Sequence, residues 1–172
     1  RRLSGEKSST SSVLDKMVSE GGNDFYNYLS WIGLSGEPKI MVLSSLHHYY
    51  YDHNDLKGIG MLVNMKQLNQ VTHLESFLHT LFRLLPCKSH FVGCFRRTKE
   101  ETGKSFRQMP SKIFHELFTG SRGGNRRILT KDNISKLLEN NCFTLNDLTD
   151  INGMTYFWAQ KYVIPLMSVR SF

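Results

Sequence analysis

The sequence predicts an α/β domain whose sheet is mostly parallel and ends in an antiparallel C-terminal strand, and three observations carry that expectation. Residues 58–95, GIGMLVNMKQLNQVTHLESFLHTLFRLLPCKSHFVGCF, read as a strand, an amphipathic helix and a second strand, the order of one βαβ unit. The strand-like run at 59–65 is apolar without alternation, as a strand must be when helices cover both faces of a parallel sheet. Near the C-terminus, Asn152 and Gly153 separate two apolar runs, the strongest short-range hairpin signal a sequence offers.

Taken in order, residues 1–12 are rich in Ser, Lys and Gly and have little to bury, so they are expected to be disordered. The match of RRLS to a basophilic kinase site is too short to carry weight. The domain is expected over 13–164, with 165–172 as a tail after Pro165. From Ser12 a capping residue precedes Val13, Leu14 and Met17, a short helix that Gly21 and Gly22 close. Phe25, Tyr28, Leu29, Trp31 and Ile32 form the apolar face of a second short helix, and the two together are expected to cover one side of the sheet. KIMVLS at 39–44 is the first strand.

The segment between it and the next strand is near the minimum of about 10–12 residues for a parallel crossover, so a short helix or tight loop is expected there. It concentrates His47, His48, Tyr49, Tyr50, Tyr51, Asp52, His53 and Asp55. Three histidines and two carboxylates are metal-ligand chemistry, yet the spacing matches no established ligand pattern. An aromatic loop over the sheet edge is the expectation, with no metal.

After 65 the period changes. Leu68, Val71, Leu74, Phe77, Leu78, Leu81, Phe82 and Leu85 fall at steps of three and four, predicting one helix of about five turns, which Pro86 stops. Residues 90–95 resume the extended pattern, and Thr130 caps a helix with Ile134, Leu137 and Leu138 on its buried face. Residues 143–147 and 154–161 are the closing strands, joined by a turn at 151–153.

The chain has 172 residues, a net charge of +7 and an apolar fraction of 40%. That is about one domain, without any run near the ~20 apolar residues of a membrane span. The first residues lack the apolar core of a secretory signal, and residue 1 is not Met. Cys87, Cys94 and Cys142 are an odd number without CxxC spacing, so a reducing, cytoplasmic setting is the expectation.

Nearly all the charge excess lies in a basic insertion at 96–127, where nine basic residues meet three acids. Arg96, Arg97, Arg122, Arg126 and Arg127 are its candidate contacts to an anion or a membrane surface. Nucleic acid is disfavoured, because no aromatic residues interleave there at regular spacing. TGKS at 102–105 fails as a phosphate-binding loop, since Thr98 stands where the first glycine belongs. His115 and Glu116 fail as a zincin helix, since Thr119 replaces the second His.

Over residues 58–162 the order of elements resembles the C-terminal half of a class I S-adenosylmethionine-dependent methyltransferase. The resemblance implies a Rossmann-like, truncated class I methyltransferase-like sheet in which the final strand is the one antiparallel member. KLLENNCF stands where that family commonly has "lleeaGF". The segments KIMVLSS, GMLVNMKQLNQV, LFRLLPCKSHFVGCF, GGNRRILTKDNISKLLENNCF and INGMTYFWAQK are more closely similar to the methyltransferase-like N-terminal domain of bacterial exopolysaccharide polyprenyl glycosylphosphotransferases. Val71, Thr72 and His73 depart from it, standing where that pattern carries arginines, and the basic insertion is shorter than usual.

This resemblance implies a non-catalytic accessory or regulatory domain that partners a membrane-associated sugar transferase at the inner face of the membrane, without a cofactor. The family's cofactor site needs a glycine-rich turn after the first strand and an acid at the end of the second. Here SSLHHYYYDH follows the first strand, and a Cβ at the glycine positions would block the backbone's approach to the cofactor. The alternative is an active methyltransferase that binds S-adenosylmethionine in an altered way. Its crevice would lie at the carboxyl ends of the strands and be lined by Ser44, Ser45, His47, Asn64, Met65 and Cys94. General acid–base work by His47 or His48 with Asp52 or Asp55 has no spacing argument behind it.

Overall fold

The computed structural model describes residues 10–44, 57–97 and 128–162. Two short helices, α1 (Thr10–Ser19) and α2 (Asn23–Trp31), precede β1 (Ile40–Leu43) and β2 (Met61–Asn64). A 3₁₀ turn (Leu68–Gln70), α3 (Leu74–Leu84) and β3 (His90–Phe95) follow. The described chain closes with α4 (Lys131–Asn140), β4 (Phe143–Ile151) and β5 (Met154–Lys161).

The strands form one sheet in the order β1-β2-β3-β5-β4. β1 pairs in parallel with β2 from Ile40↔Met61 to Leu43↔Asn64, and β2 in parallel with β3 from Met61↔His90 to Val63↔Val92. β5 is antiparallel to both β3 and β4, so it alone runs against the rest, as the resemblance implies. The sheet is thus the mostly parallel, Rossmann-like sheet expected from the sequence, closed by an antiparallel C-terminal strand.

Helices cover both faces. On one, Leu62, Phe91, Phe95 and Phe157 pack with Leu74, Leu78 and Leu81 of α3 and Ile134, Leu137 and Leu138 of α4. On the other, Met61, Val63, Val92 and Tyr156 pack with Leu14 and Met17 of α1 and with Phe25, Tyr28 and Leu29 of α2. The two N-terminal helices therefore cap one side, as expected. All four residues of β2 and five of the six in β3 are buried, which is why this stretch shows no polar alternation. Gly93 is required in β3 because a Cβ there would lie 2.6 Å from the ring of its cross-strand partner Phe157.

Several boundaries differ from the sequence reading. α1 begins at Thr10, so Ser12, expected to cap it, lies within its first turn, and residues 10–12, expected to be disordered, are helical. The single helix expected from Leu68 to Leu85 is broken: after the 3₁₀ turn, Val71 is extended (φ −81°, ψ 116°) and α3 begins only at Leu74. The Asn69 side chain accounts for the break, since its amide donates to the Arg96 carbonyl at 3.0 Å and its oxygen accepts from the Arg96 N–H at 2.7 Å. Leu68 and Val71 remain buried because a spacing of three also keeps one face in a 3₁₀ turn. The strand expected to end at 147 continues to Ile151, past a register shift between Leu145 and Asp147. The turn is accordingly the two residues Asn152 (φ 49°) and Gly153 (φ 80°), the left-handed pair that a tight hairpin needs.

Side chains close the helix ends. Thr130 and Asn133 form a reciprocal capping box at the start of α4. Lys161 donates to the Leu85 carbonyl at 2.7 Å at the end of α3, while its ammonium lies 4.6 Å from the Phe82 ring centre. Past α4, Cys142 occupies the left-handed region at φ 60°, where a side chain costs about 1–2 kcal/mol and glycine costs none. Replacing Cys142→Gly is expected to raise the unfolding free energy by about 1 kcal/mol, measured as a higher urea midpoint at unchanged slope.

At the amino ends of the parallel strands, Trp158 Nε1–H donates to His90 Nδ1 at 3.0 Å, which fixes His90 as the neutral tautomer protonated on Nε2. Burial lowers the His90 pKa from 6.5, opposed by the charge of Glu37. A lowered folded-state pKa means that this stabilisation is complete above about pH 6.5 and is lost as pH falls through the folded-state value. Melting temperature is expected to drop between pH 7 and pH 5. His90→Gln, which keeps an acceptor for Trp158 but does not titrate, is expected to flatten that part of the profile.

Candidate functional site

Open parallel sheets place ligands at the carboxyl ends of their strands. Here Ser44 follows β1, Asn64 ends β2 with Met65 after it, and Cys94 and Phe95 end β3. Ser44, Asn64 and Cys94 are buried and Met65 is half-buried. The Met65 N–H donates to the Leu43 carbonyl at 3.0 Å, and the Cys94 Sγ lies 3.9 Å from the Met65 carbonyl. Four of the six residues expected at a crevice are thus gathered across three adjacent strands. Ser45 and His47 lie outside the described residues, as do the other His and Tyr residues of that loop.

The polar groups at this end are engaged. The Asn64 amide donates to the Lys66 carbonyl at 3.0 Å, closing the turn after β2. The two Asn69–Arg96 bonds fasten the 3₁₀ turn to the end of β3. Burial pushes the Cys94 thiol up to about 12, so it is a neutral thiol at physiological pH. Across the ladder from it Tyr156 is buried edge-on against Phe25, with ring centres 4.9 Å apart, and its phenol is also raised by burial, followed by the influence of Cys94 and Asp24. Neither group is a ready nucleophile or base at physiological pH.

Of the basic candidates, Arg122, Arg126 and Arg127 lie outside the described residues. Arg96 is exposed, with its backbone held by Asn69. Arg97 is exposed and pairs with Asp150 at 3.6 Å, beside Lys131 at 3.0 Å. The Asp150 carboxyl also accepts from Thr155 Oγ1 at 2.6 Å, and this bond, with Lys131 and Arg97, holds it below the usual carboxylate range. Arg97 and Leu129 form an isolated parallel bridge, so the basic insertion leaves and rejoins the sheet at adjacent points. TGKS and the His115–Glu116 pair lie outside the described residues. Among the described residues no three His, Cys, Asp or Glu side chains cluster to hold a metal ion, and no helix is long and apolar enough to cross a membrane.

Sequence reasoning placed Asn69 on the polar face of a helix and at a position of the family pattern that the chain resembles, but missed it as the lock on this end. It also missed the Tyr28 hydroxyl, which donates to Asp147 at 2.7 Å across the second layer. Neither link has a local signal, since the partners lie far apart along the chain.

In the methyltransferase pattern an acid at the end of the strand beyond the first holds the ribose. Among the described residues β1 pairs only with β2, no strand lies on its other side, and no carboxylate stands at the ends of β1, β2 or β3. The described residues do not fit that contact.

No family model matches the chain, and no curated protein matches its sequence. Among solved structures the fold is similar to PigF with SAH (12% identity, TM-score 0.44, 61% of this chain and 31% of that one). It is similar to a putative S-adenosylmethionine dependent methyltransferase from Listeria monocytogenes (13%, 0.43, 61% and 62%). A SAM dependent methyltransferase from Aquifex aeolicus is also similar (11%, 0.42, 80% and 61%). The chain spans less than two thirds of the length of each. Likeness at this level says nothing of chemistry.

Replacing Asn69→Ala leaves the N–H and carbonyl of Arg96 without their side-chain partner. Because Asn69 is 8% exposed, a loss of about 2 kcal/mol in unfolding free energy is expected by urea titration.

Proposed function

We propose that this chain is a non-catalytic, methyltransferase-like accessory domain serving a membrane-associated sugar-1-phosphate transferase of bacterial exopolysaccharide or capsule synthesis, at the cytoplasmic face of the membrane. The observation that supports the non-catalytic part is Ser44 rather than glycine after β1, with no further strand on the outer side of β1 among the described residues. Among the described residues neither a glycine directly after β1 nor a carboxylate at the ends of β1, β2 or β3 is present to form the glycine turn or hold a ribose. The accessory role and the partner rest on the motif resemblance of residues 58–162. The basic segment that begins at Arg96 is the part suited to an anionic headgroup layer, where each Lys or Arg near the surface contributes about 1 kcal/mol.

The competing reading is an active methyltransferase with an atypical site. It is favoured by the gathering of Ser44, Asn64, Met65 and Cys94 at the ligand-binding end of the sheet. Calorimetric titration with S-adenosylmethionine separates the two. No heat of binding with ligand at about 1 mM is the expected result, whereas a Kd of about 10 μM or tighter would replace the accessory reading with the enzymatic one.

A further inference from the structure

β1 combines the composition of an interior strand with the position of an edge strand. Its four residues are apolar and half-buried. Ile40 and Val42 pack toward the α1/α2 layer, and Met41 and Leu43 toward the α3/α4 layer. The Lys39 carbonyl accepts from the N–H groups of Gly60 and Met61, and the Leu43 carbonyl from that of Met65. Odd-numbered residues therefore turn their N–H and C=O toward β2, and Ile40 and Val42 turn theirs outward, where no strand pairs with them among the described residues. The opposite edge is defended. β4 carries a register shift between Leu145 and Asp147 and exposes Thr144, Asn146 and Asp150. β1 has no charge, proline or bulge within it.

We infer that β1 is a self-association edge: a second copy of this chain adds its own β1 antiparallel about a twofold axis at Met41, joining the two sheets into one. In that pairing Ile40 of one copy faces Val42 of the other, the two exchange both backbone hydrogen bonds, and Met41 stands opposite Met41. The axis is normal to the sheet, so α1/α2 of both copies share a side. Ile40 then meets Val42 in one layer while Met41 meets Met41 in the other, and at each end of the pairing Leu43 stands opposite Lys39. A second copy is the favoured occupant because Ile40, Met41 and Val42 are uncharged and face one another under this symmetry. The pairing also closes, since among the described residues the outer edges left are the two defended β4 strands. A four-residue edge is small beside a standard interface, so the dimer is weak, with a Kd of about 1–100 μM. This inference is independent of the accessory-domain reading.

Sedimentation equilibrium of the full chain over about 1–500 μM is the test, with a shift from monomer to dimer expected. Val42→Pro deletes an outward N–H while leaving the ladder to β2 intact, and edge strands accept proline at such positions. This variant is expected to stay monomeric with an unchanged far-UV circular dichroism spectrum. Should it fail to fold, Met41→Lys places two ammonium groups on the axis. The Kd is then expected to rise several-fold and to recover partly at high salt. A wild-type chain that stays monomeric throughout, an open-ended series of larger species, or variants that dimerise as tightly as the wild type would each overturn the proposal.

Discussion

The burial of β3 on both of its faces is the constraint the rest of the structure answers to. Phe91 and Phe95 face α3 and α4, Val92 and Cys94 face α1 and α2, and Gly93 leaves space for the Phe157 ring. Phe91 meets Phe143 and Phe157 with ring centres 5.6 and 5.2 Å apart, tilted and edge-on, contacts worth about 0.5–1.5 kcal/mol each beyond their buried area. β5 can lie antiparallel against β3 because of this packing. The hairpin and α4 then follow as the elements that complete the same layer.

Around that core the polar groups act mainly as ties between segments distant in sequence. Asn69 joins the turn after β2 to the end of β3, Tyr28 joins α2 to β4 through Asp147, Trp158 joins β5 to His90, and Lys161 closes the end of α3. Each places a buried or half-buried donor on a defined acceptor, which avoids the desolvation penalty of an unpaired group. At the carboxyl end of the sheet the tie is Asn69, bonded to both backbone groups of Arg96 just past β3.

The two edges of the sheet differ for a physical reason. β4 is long, bulged and polar on its exposed positions, so it resists further pairing. β1 is short and apolar on both faces. In a doubly covered parallel sheet such a strand ordinarily has neighbours on either side. Its outward N–H and C=O groups make it the place where the architecture is incomplete among the described residues.

Much of the fold is legible in the sequence because it rests on local periodicity. The unbroken apolar run at Met61–Asn64, the three-and-four spacing through Leu74, Leu78 and Leu81, the Thr130 cap and the Asn152-Gly153 turn each announce a local backbone state that burial then reinforces. The site is less legible: the strand ends bring Ser44, Asn64, Met65 and Cys94 together as their positions suggest, but what those groups bond to is not encoded nearby.

By itself, then, the sequence determined the order and type of the elements, the sidedness of the helices and the antiparallel closing strand, since these follow from the spacing of apolar residues and from turn chemistry. Only the tertiary structure decided that the helix after β2 is broken at Val71, that β4 runs on through a bulge to Ile151, and that Asn69 and Tyr28 serve as long-range ties. Those outcomes depend on partners tens of residues away in sequence, and a hydrogen bond or ring contact formed only once the sheet assembles leaves no periodic trace in the chain.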